Sequence, residues 1–315
     1  RRLLAVDVKP RRNTSRPSTV GRGQASKLGR VVETRGRRVL VRDDDGERVC
    51  FLAGHRAVIG DRVQWVDAEG EGGKLVAVEE RSGTLERVDP NGREQVLAAH
   101  LTGILVTTAP QSPPFRAGLV DRYVVGCSIG GLTPLVVLNK VDQGVPAEVA
   151  SELALREERG LRVLHTSAKT GEGLEALSEA LAGGTWALVG HSGVGKTSLV
   201  AALLPNDDVG PVGDLSAYWG TGQHTTTASR IFSLPCGAEV VDSPGIRTFA
   251  PGRLTAAEVR LHFPGIGTLG CRYRGCLHRP DEDGCTAEDD VPAPLLASYR
   301  RMLAEVLGIE DRSKP

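Results

Sequence analysis

The sequence predicts a multidomain chain: an all-β barrel, then an α/β domain, then a small helical domain that binds a metal. Three observations carry this. Across residues 27–78, short segments of alternating apolar residues are separated by Asp-Gly and Gly-Gly turns. Across 101–241, continuous apolar runs alternate with helical patterns, as in a parallel sheet covered by helices. Beyond them, Cys271, Cys276, His278 and Cys285 crowd into residues 271–285.

The barrel strands are read at 29–34, 38–42, 48–52, 62–66 and 74–78. Five short strands in about 55 residues suit an OB barrel, a fold that often binds nucleic acid. Its aromatic residues are Phe51 and Trp65. A broad base-stacking platform is therefore not expected, and contacts to nucleic-acid backbone or to protein are. In the α/β part, strands are read at 101–107, 132–138, 161–165, 186–189 and 238–241. Helices are read at 119–125, 145–156, 172–181 and 198–204, with a last one at 295–307. The expected division is a basic disordered arm at 1–26, the OB domain at 27–82, the α/β domain at 83–250 and the metal-binding domain at 251–315.

Four motifs give the α/β domain its chemistry. Gly190-His191-Ser192-Gly193-Val194-Gly195-Lys196-Thr197 fits G-x-x-x-x-G-K-[ST]. It follows an apolar strand and opens a helix at Ser198, the context this phosphate loop requires. Its glycines let backbone N–H groups turn toward phosphate oxygens, and the helix dipole assists. Lys196 is expected on the β- and γ-phosphates and Thr197 on magnesium. Asn139-Lys140-Val141-Asp142 ends a buried strand, where open α/β sheets bind ligands. The Asp142 carboxylate can accept from the two adjacent donors of guanine, which adenine lacks. Asn139 is expected at the other edge of the base, with the stem of Lys140 on a ring face. Ser167-Ala168-Lys169 ends the next strand, and the Ala168 N–H can reach the guanine oxygen. Asp242-Ser243-Pro244-Gly245 ends a fourth strand. There Asp242 is expected near magnesium, with the Gly245 N–H sensing the γ-phosphate.

Their order is the informative part. Ordinary small GTPases present the phosphate motifs first and the base motifs last, and here the base motifs lead. The α/β domain is therefore read as a circularly permuted P-loop GTPase. Ile246 follows Gly245, where Ras-like enzymes carry a Gln that orients the attacking water. Another group must do this, and His224 in Gly220-Thr221-Gly222-Gln223-His224-Thr225-Thr226-Thr227 is the candidate. A switch threonine belongs in the same stretch. An ATP-using kinase and an inactive nucleic-acid module are the competing classes. The guanine-reading motifs oppose the first; Lys196, Thr197, Asp242 and His224 together oppose the second.

Taken together, N-K-V-D, S-A-K, G-H-S-G-V-G-K-T, G-Q-H-T-T-T, D-S-P-G-I and the trailing Cys/His cluster resemble the RsgA family of ribosome-small-subunit-dependent GTPases. The resemblance covers nearly the whole chain from Lys27 on. It implies an OB domain, a permuted GTPase and a zinc domain, acting in late maturation of the small ribosomal subunit with hydrolysis stimulated by that subunit. It links His224 to hydrolysis and Thr226 to the switch, where Thr226 joins Thr197 and Asp242 around magnesium. Some potassium-activated GTPases carry Asn at the fourth phosphate-loop position, where this chain has Gly193, so no strong potassium requirement is expected by that route.

Three thiolates and one imidazole make a closed tetrahedral set, the pattern of structural zinc. A disulfide plus a free thiol is the competing reading, and the lack of a signal peptide, implying a reducing cytosol, weighs against it. The segment looks poor in large apolar residues, so the metal is expected to supply much of its stability. Net charge is zero, with 39 basic and 39 acidic residues, yet residues 1–42 hold thirteen Lys or Arg against two acids. That suits phosphate contact. No apolar run approaches the ~20 residues of a membrane span. A cytoplasmic monomer is expected. The strand carrying Asp242 leads into the zinc domain, so loss of the γ-phosphate is expected to reorient that domain by a short covalent path.

Overall fold

The computed structural model describes residues 25–68, 72–88, 93–204, 229–242, 254–280 and 282–308. The basic arm up to residue 24, His224, Thr226, Gly245 and Ile246 lie outside them.

Strands β1 (Lys27–Arg35), β2 (Arg38–Asp43), β3 (Gly46–Phe51), β4 (Arg62–Asp67) and β5 (Gly73–Val78) form the barrel. They close in the order β1-β2-β3-β5-β4-β1, with β3 and β5 parallel and the other pairs antiparallel. Alternation sends Val31, Val39, Val41, Cys50, Val63, Trp65 and Leu75 inward. Gly73 is required at the seam. A Cβ there would lie 2.6 Å from both Cys50 Sγ and the Trp65 ring. A register shift between Val31 and Glu33 interrupts β1. Residues 27–30 pair with β4, and Glu33 and Thr34 pair outside the barrel.

A hairpin of β6 (Leu85–Val88) and β7 (Glu94–Ala98), unforeseen in the sequence, leads into the α/β domain. There β8 (Gly103–Thr108), β9 (Thr133–Leu138), β10 (Arg162–His165), β11 (Thr185–Val189) and β13 (Glu239–Asp242) run parallel in the order β10-β9-β8-β11-β13. The antiparallel strand β12 (Ser229–Ser233), also unforeseen, joins the far side of β13. Helices α1 (Ala117–Ile129), α2 (Ala147–Glu157), α3 (Leu174–Leu181) and α4 (Lys196–Leu203) complete the domain. The strands are buried on both faces, which explains their unbroken apolar runs.

The C-terminal part has α5 (Ala256–His262), α6 (Ala287–Asp290) and α7 (Ala293–Leu307). Thr255 and Glu258 form a capping box at the start of α5. Outside the metal-ligand segment 271–285, this part has an apolar core that went unread in the sequence. Val259, Phe263, Ile266, Leu295, Leu296, Tyr299, Met302 and Leu303 pack into one buried cluster, and Val125 of α1 belongs to it. Helical spacing brings these residues together although no continuous run announces them. The cluster is thus shared with the α/β domain. A buried ion pair reinforces it: Arg156 of α2 donates to both carboxylate oxygens of Asp121 on α1, at 2.7 and 2.6 Å. Ser298 of α7 donates to the same carboxylate at 2.6 Å. No helix among the described residues is long and apolar enough to cross a membrane.

Candidate nucleotide site and metal cluster

The phosphate loop begins where β11 ends. Gly190 has φ 141°, and a Cβ there would lie 2.1 Å from the Thr107 carbonyl oxygen of β8, so only glycine lets the loop pass so close to the sheet. Val194 is buried and plugs the loop onto the domain. Gly195, at φ 89°, leads into α4. Lys196 Nζ donates to the carbonyls of Gly190 at 2.8 Å and His191 at 2.9 Å, which arches the ammonium over the loop. His191, Ser192, Gly193, Thr197 and Ser198 are exposed along its rim.

The base-reading turns stand beside this loop, and Asn139 joins them to it. Asn139 is buried; its Nδ2 donates to the Val194 carbonyl at 3.0 Å. Its Oδ1 accepts from the Ala168 N–H at 3.1 Å and from Thr166 Oγ1 at 3.3 Å. The carboxamide expected at the far edge of the base therefore has both ends engaged by protein. The Ala168 N–H expected on the guanine oxygen is engaged by Asn139. Asp142 sits in a 3-10 turn (Val141–Gln143), is exposed, and accepts from Ser167 Oγ at 2.7 Å. That bond aims one carboxylate oxygen and leaves the group accessible. Lys140 adopts φ 67° and donates from Nζ to the Ser112 carbonyl at 2.7 Å. Lys169 is exposed next to the buried Ser167. Asp242 ends β13 and is buried.

One element went unread in the sequence. The loop 109–116 follows the carboxyl end of β8 and braces both halves of the site. Gln111 Nε2 donates to the Gln143 and Gly144 carbonyls at 3.0 Å each, Ser112 holds Lys140, and Pro113 abuts Gly193. The available signal was its position, since loops at the carboxyl ends of parallel strands line ligand sites, together with Pro110, Pro113 and Pro114.

The structure brings all four expected zinc ligands together. His278 Nδ1 lies 3.4 Å from the sulfurs of Cys271 and Cys276 and 3.5 Å from that of Cys285. The Cys271 and Cys285 sulfurs are 4.0 Å apart, and the four donor atoms all lie within 4.8 Å of one another. Zinc bonds of about 2.3 Å to sulfur and 2.0–2.1 Å to nitrogen give tetrahedral edges of about 3.5 Å (N···S) and 3.8 Å (S···S). The donor set is therefore compatible with zinc. All six cysteines are free thiols in this structure. Burial pulls the His278 imidazole below its ordinary value, with Arg260 adding to the effect, which favours the neutral form a metal needs. Burial pushes the Cys276 thiol up to about 12, an opposition that a bound dication reverses. Glu282 accepts from the N–H groups of Leu277 at 3.2 Å and Arg279 at 3.0 Å, holding His278 at φ 56° between them.

A phosphate loop on an interior strand of a parallel sheet, preceded in the chain by the turns that would read the base, defines a circularly permuted P-loop nucleotide-binding protein. Comparison with known proteins narrows the class. The family model described as RsgA GTPase matches residues 78–251, and this chain belongs to that family. A relative from Azotobacter vinelandii is 38% identical over 295 residues, covering 88% of this chain and 85% of its own. Another, from Haemophilus influenzae, is 37% identical over 262 residues, covering 78% and 74%. Both are named small ribosomal subunit biogenesis GTPase RsgA. The crystal structure of YjeQ from Thermotoga maritima superimposes with a TM-score of 0.72 at 26% identity, over 90% of this chain and 99% of that one. YloQ, described as a circularly permuted GTPase, shares the fold with a TM-score of 0.66 at 20% identity, over 95% and 100%. The family is one of GTP-hydrolysing enzymes that use GTP, GDP and Mg²⁺.

Proposed function

We propose that this protein binds the small ribosomal subunit and acts in its late maturation, hydrolysing GTP to GDP and phosphate faster when bound there. The observation that supports this reading is the join at Asn139, which hydrogen-bonds the 139–142 and 167–169 turns to the phosphate loop, on a chain that also bears a barrel of the OB type. The names of the relatives supply the subunit.

In this reading the Asp142 carboxylate, aimed by Ser167, accepts the two adjacent donors of guanine. Lys140, Ala168 and Lys169 frame the base. The N–H groups of Gly190 to Ser198 cradle the phosphates, and Lys196 offsets charge on the β- and γ-phosphates. Thr197, Thr226 and Asp242 would hold Mg²⁺, which supplies positive charge against the phosphate oxygens during transfer. His224 positions the attacking water, a role Ile246 has no group to perform. The water oxygen bonds to the γ-phosphorus as the bond to the β,γ-bridging oxygen breaks. The N–H of Gly245 senses the γ-phosphate. Cys271, Cys276, His278 and Cys285 would hold one structural zinc. The divisions at residues 27–82, 83–250 and 251–315, a monomeric state and a cytoplasmic location belong to the same proposal.

The expected reorientation of the zinc domain meets a physical constraint. That domain shares a buried cluster and the Asp121 carboxylate with α1, so turning it alone would break both. A movement that carries α1 along avoids this cost. The decisive assay is GTP hydrolysis with purified small subunits, with large subunits as the control. Stimulation by small subunits alone is expected. Equal rates in all three conditions would remove the ribosomal assignment.

A further inference from the structure

The sheet does not end at the α/β domain. β12 pairs with β13 on one side and with β1 of the barrel on the other. Arg230 stands opposite Asp242 across one ladder and opposite Glu33 across the other. Residues directly opposite in antiparallel strands share a face, with Cβ atoms about 4.5–5.5 Å apart. Glu33, Arg230 and Asp242 therefore form one row leading from the barrel to the nucleotide site. Its ends are buried, Glu33 at 4% and Asp242 at 2% exposure, while Arg230 between them is exposed, with its guanidinium over the Phe232 ring.

A second tie lies three residues back along β1. Arg30 donates to Glu239 at the start of β13, and its Nη2 donates to Thr185 Oγ1 at the start of β11 at 3.1 Å. Thr185 Oγ1 in turn donates to Glu239 at 3.0 Å. Residues 30–33 of β1 thus run level with 239–242 of β13 and are tied to them at both ends. Ser229 pairs with Thr34, the next pair along the same ladder.

We propose that the barrel acts on hydrolysis through this row, with Glu33 and Arg230 as positioning residues. A partner that shifts the barrel shifts Asp242 with it. This rests on the reading that small subunits stimulate hydrolysis. Ladder pairing is the physical reason: strands joined by successive hydrogen bonds move as one body, whereas a loop connection would absorb the displacement.

The test compares Arg230→Ala and Arg230→Lys with the unmodified protein. It measures GDP affinity, KM and kcat for GTP with saturating small subunits, and amide hydrogen exchange along β12. Arg230→Ala is expected to keep GDP affinity and KM within threefold, to lose at least tenfold in stimulated kcat, and to exchange the β12 amides at least tenfold faster. Arg230→Lys restores most of the rate. A kcat within twofold of the unmodified protein overturns the proposal whatever the exchange shows. So does a fall in kcat matched by an equal loss of GDP affinity, which would mark general damage to the site. Absence of stimulation in the unmodified protein defeats the ribosomal reading alone. The proposal is then decided on basal kcat: a fall at unchanged GDP affinity sustains it, and an unchanged basal rate overturns it.

Discussion

Arg156→Ala removes the cation from a pair in which neither partner meets solvent. Both side chains are 0% exposed, and the guanidinium reaches the two Asp121 oxygens at 2.7 and 2.6 Å. Afterwards Asp121 keeps the Ser298 hydroxyl, at 2.6 Å, as the other donor to its side chain. Breaking a buried pair from one side costs about 3–5 kcal/mol, because the remaining charge stays out of water. Against a typical net stability of about 5–15 kcal/mol this is a large fraction. Ser298→Ala removes a bond to a charged acceptor and is expected to cost about 1.5–3 kcal/mol. The double variant Asp121→Leu/Arg156→Met removes the stranded charge along with the pair and is expected to cost less than Arg156→Ala alone. Urea unfolding measures all four proteins, with midpoints and slopes compared in case the domains unfold separately. Limited proteolysis reports whether residues 254–308 detach first. A cost below about 1 kcal/mol for Arg156→Ala, or a double variant worse than the single, would mean that water reaches the pair and that it does not hold the C-terminal domain in place.

Cys276→Ser is expected to lose zinc in metal analysis and to make residues 271–286 sensitive to protease, while the shared core keeps α5 and α7 folded; resistance that persists in EDTA would show that the metal is not structural. Asp142→Ala is expected to cut the preference for GTP over ATP by about 1.5–3 kcal/mol, roughly ten- to a hundredfold; an unchanged preference in competition binding would place base recognition elsewhere. Gly195→Ala puts a Cβ 2.5 Å from Asn139 Nδ2 at φ 89°, so GDP affinity is expected to fall at least tenfold, and retained affinity in a fluorescence titration would show that the join at Asn139 is dispensable. Replacing KCl by NaCl is expected to leave the hydrolysis rate within about twofold, in keeping with Gly193 rather than Asn at the fourth loop position; a large difference sinks that argument.

The legible parts were those whose physics is local. Five barrel strands lie within one or two residues of their expected bounds, because alternation and turn residues act between neighbours. The phosphate loop is a run of consecutive N–H donors, and the metal ligands fall within one short loop. Asn139 shows where local reading ends. Its type and spacing announce a base-reading turn, but its engagement with Val194, 55 residues on, is a product of folding. The C-terminal core escaped notice for the same reason: its apolar residues are spread over helices and the turns between them and completed by Val125.

The sequence by itself determined the chemistry available and the order in which the chain delivers it: base turns, phosphate loop, Asp242, metal ligands. Only the tertiary structure decided how these parts are fastened to one another. Ser298 meets Asp121 across 177 residues, and Glu33 stands in register with Arg230 across the ladder of β1 and β12. Such contacts leave no periodic trace in the chain, since they arise when packing of apolar faces carries distant strands and helices into register.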